Sequence, residues 1–110
     1  MSSSLWASYL KERLDQDCIE YDWGFLSYKI TGLVCDIFDL YVAPEEREKG
    51  YAKKLADEVT EIAKGRQCNT LVGYVWPGVR GSEISLQAML NYGFVLLTND
   101  GARTILTKGI

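Results

Sequence analysis

The sequence contains no histidine among its 110 residues. Histidine is the usual proton carrier at neutral pH and a frequent zinc ligand, so acid–base chemistry here must rely on Asp, Glu, Tyr, Cys, Lys or water. The three cysteines, Cys18, Cys35 and Cys68, are odd in number and far apart in the sequence. Neither a disulfide framework nor a zinc site has that pattern. We therefore expect no bound metal and interpret the cysteines as buried free thiols.

Excess positive charge and long apolar runs are also lacking. The 12 Lys and Arg residues against 15 Asp and Glu residues give a formal net charge of -3. Nucleic-acid-binding domains normally carry a basic surface, so we expect no nucleic-acid partner. The acidic balance instead favours a cationic partner such as an amine. No apolar run approaches bilayer length, and the start Met-Ser-Ser-Ser lacks the features of a signal peptide, so we expect a cytoplasmic protein without membrane contact.

What is present is the composition of a globular protein, with 47% hydrophobic and 25% charged residues. A chain of this length suits one domain over residues 1–110. After a cap at residues 2–4, helical spacing predicts a first helix through Leu5, Trp6, Tyr9, Leu10, Arg13 and Leu14. We expect its apolar stripe to pack on the core, and the alternative is a surface for a partner.

The remaining periodicity predicts a mixed α/β (α+β) fold. Strand-like residues 18–21, 25–30 and 33–42, separated by turns at 22–24 and 31–32, indicate an antiparallel meander. A helix from about residue 50 to Gly65 and a strand at 69–75 follow, so the crossover predicts a parallel strand pair in a central mixed sheet. A short helix at 83–92 and a C-terminal hairpin, with strands 94–98 and 102–107 around an Asn-Asp-Gly turn, close the chain.

The start of the second helix has the composition of an anion site. Arg47, Lys49 and Gly50 bring cations and a glycine to the point where the helix begins. The first N–H groups of a helix lack internal partners and carry the positive end of its dipole, so they can hold a pyrophosphate. The alternative is that Gly50 and Ala52 only let the helix pack closely on the sheet.

These residues also carry a family resemblance. The segment Arg-Glu-Lys-Gly-Tyr-Ala at 47–52 fits the pattern [RQ]-x-x-G-x-[GA], and the Leu-Tyr-Val-Ala-Pro at 40–44 resembles the strand that precedes it in GNAT-superfamily N-acetyltransferases. The resemblance implies a GNAT-like sheet in which two neighbouring strands splay apart and admit the pantetheine arm of acetyl-CoA. The residues it assigns to acetyl-CoA binding are Leu40, Tyr41, Val42, Arg47, Glu48, Lys49, Gly50, Tyr51, Ala52, Lys53, Ser82 and Ser85.

The usual proton donor of this family is missing. The resemblance implies a helix of the form N-x-x-A-x-x-x-Y-x-x-x-G-F, in which the Tyr protonates the departing thiolate. Counting back from the Gly-Phe at 93–94 puts Met89 at that position, and methionine cannot donate a proton. Tyr92, one turn away, is the candidate acid, with a packing role as the alternative; Tyr74 lies on the neighbouring strand.

Two carboxylates are candidates for the base that takes a proton from the amine. By position, Asp36 matches a catalytic Glu of histone-type members, and Asp39 matches an acidic substrate contact of polyamine-type members. Their odd separation sends them to opposite faces of a regular strand, so both reach one cleft only if the strand contains a bulge. The alternative for each is an exposed acid of the sheet.

The sequence thus predicts an enzyme that moves acetyl from acetyl-CoA to a primary amine, by direct attack. The candidate amines are those of a protein lysine, a protein N-terminus and a polyamine-like molecule. One alternative is a non-catalytic relative that binds coenzyme A or a protein, and another is a structural subunit in which the motif is a packing relic. The part before the meander is shorter than in the family, so we expect an open acceptor side, in a monomer or in a homodimer whose partner supplies the missing wall.

Overall fold

The computed structural model describes residues 4–110. The order of elements agrees with the predicted order, with shifts of one to three residues at most ends. The elements are helix α1 Leu5–Tyr9, strands β1 Asp17–Tyr21, β2 Gly24–Thr31 and β3 Val34–Val42, helix α2 Tyr51–Gly65, strand β4 Thr70–Val75, helix α3 Ser82–Tyr92, and strands β5 Val95–Asn99 and β6 Thr104–Gly109. A π-helical turn, Leu10–Leu14, extends α1, and a short 3₁₀ helix, Pro44–Glu46, precedes α2.

The six strands form one mixed sheet in the order β1-β2-β3-β4-β6-β5. Strands β3 and β4, joined by α2, are parallel, and every other neighbouring pair is antiparallel. The predicted meander, crossover and C-terminal hairpin are therefore confirmed. The hairpin joins the sheet with its second strand innermost, since β6 pairs with β4 and leaves β5 at the edge.

The core lies between the sheet and α2. Leu55, Val59 and Ala63, spaced along one side of α2, are fully buried against strand residues such as Leu26 and Leu71. This is the stripe that the helical spacing predicted, because residues three and four apart share one face of a helix. Strand β2 begins at Gly24, where the backbone of β3 approaches so closely that a Cβ would collide with the Tyr41 carbonyl oxygen.

The cysteines are free thiols in the structure. Cys35 and Cys68 are buried, as expected, whereas Cys18 is only partly buried. Burial raises the pKa of the Cys35 thiol to about 12 and that of Cys18 to about 11. Because the thiolate is the reactive form, Cys18 and Cys35 are poor nucleophiles at neutral pH.

The prediction that the first helix packs its apolar stripe on the core is wrong for most of that stripe. Only Leu10 is buried; Leu5 is 90% exposed, and Trp6, Tyr9 and Leu14 are exposed as well. The physical reason is the short α-helical part and the change to π-helical hydrogen bonding at Leu10, which breaks the 3.6-residue spacing of the stripe. Of the predicted cap, Ser4 accepts a hydrogen bond from the Ala7 N–H, and residues 2–3 lie outside the described part of the chain.

Among the helices within residues 4–110, none is both long enough and apolar enough to cross a bilayer.

Candidate functional site

The two central parallel strands separate partway along their length. Their pairing starts at Val34 and Thr70 and ends at Ile37 and Gly73, although β3 continues to Val42 and β4 to Val75. Beyond the last pair, the side of β3 that faces β4 pairs with no other strand among residues 4–110. A cavity of about 570 Å³ reaches this opening from between α2 and α3.

A bulge in β3 lies at the same place. Ile37 pairs with Tyr28 and Asp39 pairs with Ser27, so Phe38 is an extra residue on β3. Asp36 pairs with Lys29, and residues directly opposite each other in a sheet point to the same face. Since Lys29 and Ser27 are two residues apart, the bulge brings Asp36 and Asp39 to one face of the sheet. The bulge that the sequence analysis required for both carboxylates to reach one cleft is therefore present. The catalytic roles of Asp36 and Asp39 stay predictions.

Asp36 has a partner that sequence reasoning did not assign. The Tyr74 hydroxyl on β4 donates a hydrogen bond to Asp36 Oδ1 at 2.9 Å. The Tyr74 ring stacks on Phe38 with 5.7 Å between ring centroids and 6° between planes. Partial burial, followed by the bond to Asp36, raises the pKa of the Tyr74 phenol, so the hydroxyl keeps its proton at neutral pH.

The predicted anion site lies at the start of α2. Gly50 is the residue before the helix and has φ +82°, a left-handed conformation that favours glycine. The bond from the Lys54 N–H to the Gly50 carbonyl is the first of the helical series. The N–H groups of Tyr51, Ala52 and Lys53 therefore lie at the free end of the helix, where an anion can accept from them.

The cations near this helix start all have local partners. Arg47 Nε donates to the Val42 carbonyl oxygen at 2.9 Å, and its guanidinium lies over the Tyr41 ring. Lys49 pairs with Glu46 at 2.8 Å, and Lys53 pairs with Asp57 at 2.8 Å. These carboxylates raise the pKa of both lysines, so the lysines carry full positive charge at neutral pH. An incoming anion would compete with exposed ion pairs, which are weak in water.

Of the other residues assigned to acetyl-CoA, Leu40, Ala52, Lys53, Ser82 and Ser85 line the cavity. Tyr41 is exposed and Val42 is buried at the end of β3. Glu48 lies in the motif loop with φ +66°. The structure thus brings the predicted strand, helix start and α3 residues around one opening.

Met89 lies directly over the last paired residue of β4. A Cβ added at Gly73 would be 2.8 Å from Met89 Cε and 2.9 Å from Met89 Sδ. The methionine therefore occupies the space that the missing side chain of Gly73 leaves open. Because successive residues of a strand point to opposite faces, Tyr74 and Asp36 belong to the other face of the sheet.

Tyr92, the predicted acid, joins α3 to α2. Its hydroxyl donates to Asp57 Oδ1 at 2.6 Å and lies 3.4 Å from Thr60 Oγ1. Partial burial and the bond to Asp57 raise the pKa of this phenol too. The hydroxyl is thus engaged between two helices, which favours the packing alternative; a catalytic role for Tyr92 remains an untested prediction.

The aromatic residues near the opening extend beyond the predicted set. The Arg103 guanidinium lies 5.1 Å from the centre of the Tyr74 ring and 5.8 Å from that of Trp76. The register of β6 against β4 produces this contact, and no short motif in the sequence marks it. The ion pair of Lys53 and Asp57, by contrast, is predictable from the sequence, because oppositely charged residues four apart on a helix are neighbours.

Comparison with known proteins identifies a family whose profile matches most of the chain. The sequence profile of the "Acetyltransferase (GNAT) family" matches residues 9–94. Similar solved structures include a PaiA N-acetyltransferase from Thermoplasma acidophilum in complex with coenzyme A, at 23% identity and TM-score 0.75, covering 92% of this chain and 66% of that one. A GNAT family acetyltransferase from Elizabethkingia anophelis with acetyl-CoA bound is 18% identical, with TM-score 0.69, over 96% of this chain and 87% of that one.

A third similar structure is NAA60 from Arabidopsis thaliana in complex with a bisubstrate analogue, at 17% identity and TM-score 0.65 over 80% of this chain and 65% of that one. The chain therefore spans just under two thirds of the length of the Thermoplasma acidophilum and Arabidopsis thaliana proteins. At these identities the likeness establishes the fold. No curated protein matches the chain significantly.

Proposed function

Because the chain belongs to the GNAT family of acetyltransferases, we propose that it transfers an acetyl group from acetyl-CoA to a primary amine by direct attack. The observation that carries the proposal is the separation of β3 from β4 beyond Ile37 and Gly73, next to a helix start suited to a pyrophosphate. One opening therefore joins a place for the donor's phosphates to the carboxylates on the other face of the sheet.

The donor would lie along three groups of residues. The N–H groups of Tyr51, Ala52 and Lys53 would hold the pyrophosphate, because they form the free start of α2. The pantetheine amides would pair with the β3 backbone at residues 40–42, as a peptide pairs with a sheet edge. Coenzyme A in the Thermoplasma acidophilum structure and acetyl-CoA in the Elizabethkingia anophelis structure support this choice of donor.

The reaction needs an amine that has lost its ammonium proton, since only the neutral nitrogen is a nucleophile. Its nitrogen attacks the thioester carbonyl carbon, a C–N bond forms, and the C–S bond breaks to release the coenzyme A thiolate. The ammonium proton goes to water before the attack, Asp36 takes the second proton as the C–N bond forms, and Asp39, on the same face, holds the amine in place. Holding the two reactants in the correct geometry is worth several kcal/mol by itself.

The acceptor side has few covering elements. Asp39 and Tyr41 at the end of β3 are exposed, and Trp76 at the end of β4 is 45% exposed. An open, acidic and aromatic surface suits a flexible cationic amine, such as a protein lysine, a protein N-terminus or a polyamine-like chain. A second function, a non-catalytic relative that only binds coenzyme A, is favoured by Met89 at the position of the usual acid.

Mass spectrometry of acetyl transfer tests the proposal. The chain is incubated with acetyl-CoA and a panel of lysine peptides, peptides with free N-termini, and polyamines, and each product is weighed for an added acetyl group. We expect at least one acceptor to gain acetyl at a rate above that of acetyl-CoA with the acceptor alone. If acetyl-CoA raises the melting temperature but no acceptor gains acetyl, the non-catalytic function replaces this one.

A further inference from the structure

The hydrogen bond between Tyr74 and Asp36 lies beside the point where β3 and β4 separate. Tyr74 is the first β4 residue beyond the last pair, Ile37 and Gly73, and it lines the cavity that Met89 also lines. Its hydroxyl is 2.9 Å from Asp36 Oδ1. A proton donor and a carboxylate are thus joined where the acetyl group would meet the amine.

The surroundings fix the Tyr74 ring and keep its proton in place. Phe38 stacks on the ring, and the Arg103 guanidinium lies 5.1 Å from the ring centre. Two other charged residues lie on the same face of the sheet: Lys29, opposite Asp36 on β2, and Asp39. The Arg103 cation lowers the pKa of the phenol, but burial and the Asp36 carboxylate outweigh it and raise that pKa.

We propose that Tyr74 and Asp36 form one proton-transfer pair, in which Tyr74 is the acid that protonates the departing thiolate and Asp36 is the base. This inference rests on the acetyl transfer proposed above. Asp36 accepts the proton lost by the attacking nitrogen as the C–N bond forms. The C–S bond breaks, the Tyr74 hydroxyl gives its proton to the sulfur, and the proton on Asp36 passes to the phenolate oxygen. The amide, free coenzyme A thiol and the original pair result.

The order of acidities makes the pair more effective than the phenol alone. An ordinary phenol has a pKa of about 10 and an ordinary thiol has a pKa of about 8.5. A tyrosine alone is therefore the weaker acid, and its transfer of a proton to a thiolate is unfavourable. A carboxylic acid is a stronger acid than a thiol, so moving a proton from a carboxyl group through the Tyr74 hydroxyl to the sulfur is favourable overall. The bond at 2.9 Å is short enough for that second transfer.

Tyr74→Phe is the direct test, because it keeps the ring that contacts Phe38 and Arg103 and removes only the hydroxyl. We expect kcat to fall roughly 10- to 100-fold, at or below the lower end of the usual contribution of acid catalysis, because a thiolate is a fair leaving group. The melting temperature and the acetyl-CoA affinity should stay near those of the parent. Tyr9→Phe is the matched control: it removes a tyrosine hydroxyl on α1, and its kcat should not change.

The pH profile separates an acid from a residue that only positions Asp36. Relative to the parent at the same pH, Asp36→Asn should recover part of its rate as the pH rises, because hydroxide can then take the proton that the attacking nitrogen loses. Tyr74→Phe should not recover relative to the parent, because a higher pH supplies no proton to the thiolate. Recovery of Tyr74→Phe in parallel with Asp36→Asn would overturn the assignment of Tyr74 as the acid.

Two further outcomes would refute the proposal that Tyr74 and Asp36 form a proton-transfer pair. A Tyr74→Phe rate within twofold of the parent refutes the pair while leaving acetyl transfer intact. A parent chain that binds acetyl-CoA and acetylates no acceptor refutes both the proposed function and the pair. The double variant combines Tyr74→Phe with Asp36→Asn. If its kcat falls no further than that of the more damaging single variant, the pair is supported, since the effects of residues that act as one unit are not additive. Full additivity would contradict it.

Discussion

Replacing Gly50 by glutamate tests the donor site most directly. The change places a carboxylate at the start of α2, beside the N–H groups that would hold the pyrophosphate. A Cβ at Gly50 would have no atom within 4 Å, so the base of the added side chain meets no steric obstacle. The backbone, however, has φ +82°, and a left-handed conformation costs a non-glycine residue about 1–2 kcal/mol.

Gly101 provides a control with the same backbone cost. It has φ +86° and likewise no atom within 4 Å of a Cβ, but it lies in the turn between β5 and β6. Gly101→Glu and Gly50→Glu should therefore lower the melting temperature by similar amounts, about 4–8 °C each if 1 kcal/mol corresponds to roughly 4 °C. Any further difference between them reflects the site rather than the strain.

The expected effect on binding follows from Coulomb's law. A carboxylate roughly 6 Å from a unit of phosphate charge, at an effective dielectric constant of about 20, costs about 2.8 kcal/mol, which is roughly a hundredfold in affinity. At acetyl-CoA a hundredfold above the parent Kd, ligand stabilisation is about 2.7 kcal/mol for the parent and about 0.4 kcal/mol for Gly50→Glu. The melting temperature should then rise by roughly 10 °C for the parent and Gly101→Glu, and by less than about 2 °C for Gly50→Glu.

Thermal unfolding with and without acetyl-CoA measures all three chains in one experiment. If Gly50→Glu folds with the same loss as Gly101→Glu and still gains the full ligand shift, the pyrophosphate does not lie at the start of α2. If both glutamate variants lose the shift, the effect comes from net charge or general destabilisation, and the argument from the helix start fails.

Three other changes have definite expected outcomes. Met89→Tyr should leave kcat unchanged or raise it and should restore part of the rate lost in Tyr74→Phe, because it puts a second hydroxyl at the opening; no restoration would mean that this position does not face the thiolate. Tyr92→Phe should change kcat by less than about threefold, since its hydroxyl is bonded to Asp57; a loss of tenfold or more with unchanged stability would make Tyr92 the acid. The Arg103 and Ala102 N–H groups lower the pKa of Asp100, so its contribution to stability is present above its unfolded pKa of about 4 and is lost as the pH falls further. The melting temperature of Asp100→Ala should accordingly depend less on pH between 5 and 3 than that of the parent, and equal slopes would contradict the hydrogen-bond account.

Much of the fold followed from the sequence because its local patterns agree with the global arrangement. The spacing of Leu55, Val59 and Ala63 predicted the buried side of α2, and Gly93 with a left-handed φ of +112° ends α3 where predicted. The first helix went wrong because periodicity reports which residues share a face but not whether another element covers that face. The π-helical turn Leu10–Leu14 also has no marker in hydrophobic spacing.

The site was predicted in outline but not in its contacts. The helix start could be located because its cations, its glycine and its change of period are adjacent in the sequence. The contact between Asp36 and Tyr74 spans 38 residues and depends on the parallel register that sets Ile37 against Gly73. The sequence showed that Asp36 and Asp39 reach one cleft only if β3 contains a bulge. It did not show where the bulge lies, because the pairing with β2 places it at Phe38.

The contact between Met89 and Gly73 gives a physical reason for a proton donor on the sheet rather than on α3. The methionine side chain fills the helix-side space over Gly73, so closely that a Cβ at Gly73 would be 2.8 Å from its methyl group. With that space filled by an apolar group, a donor on the helix side has no clear approach to the last paired residues. Tyr74, one residue further along β4, points to the opposite face and already carries a carboxylate partner in Asp36. In the proposed mechanism, the apolar Met89 on the helix side and the Tyr74–Asp36 pair on the opposite face are thus two parts of one arrangement, in which the proposed acid and base lie together.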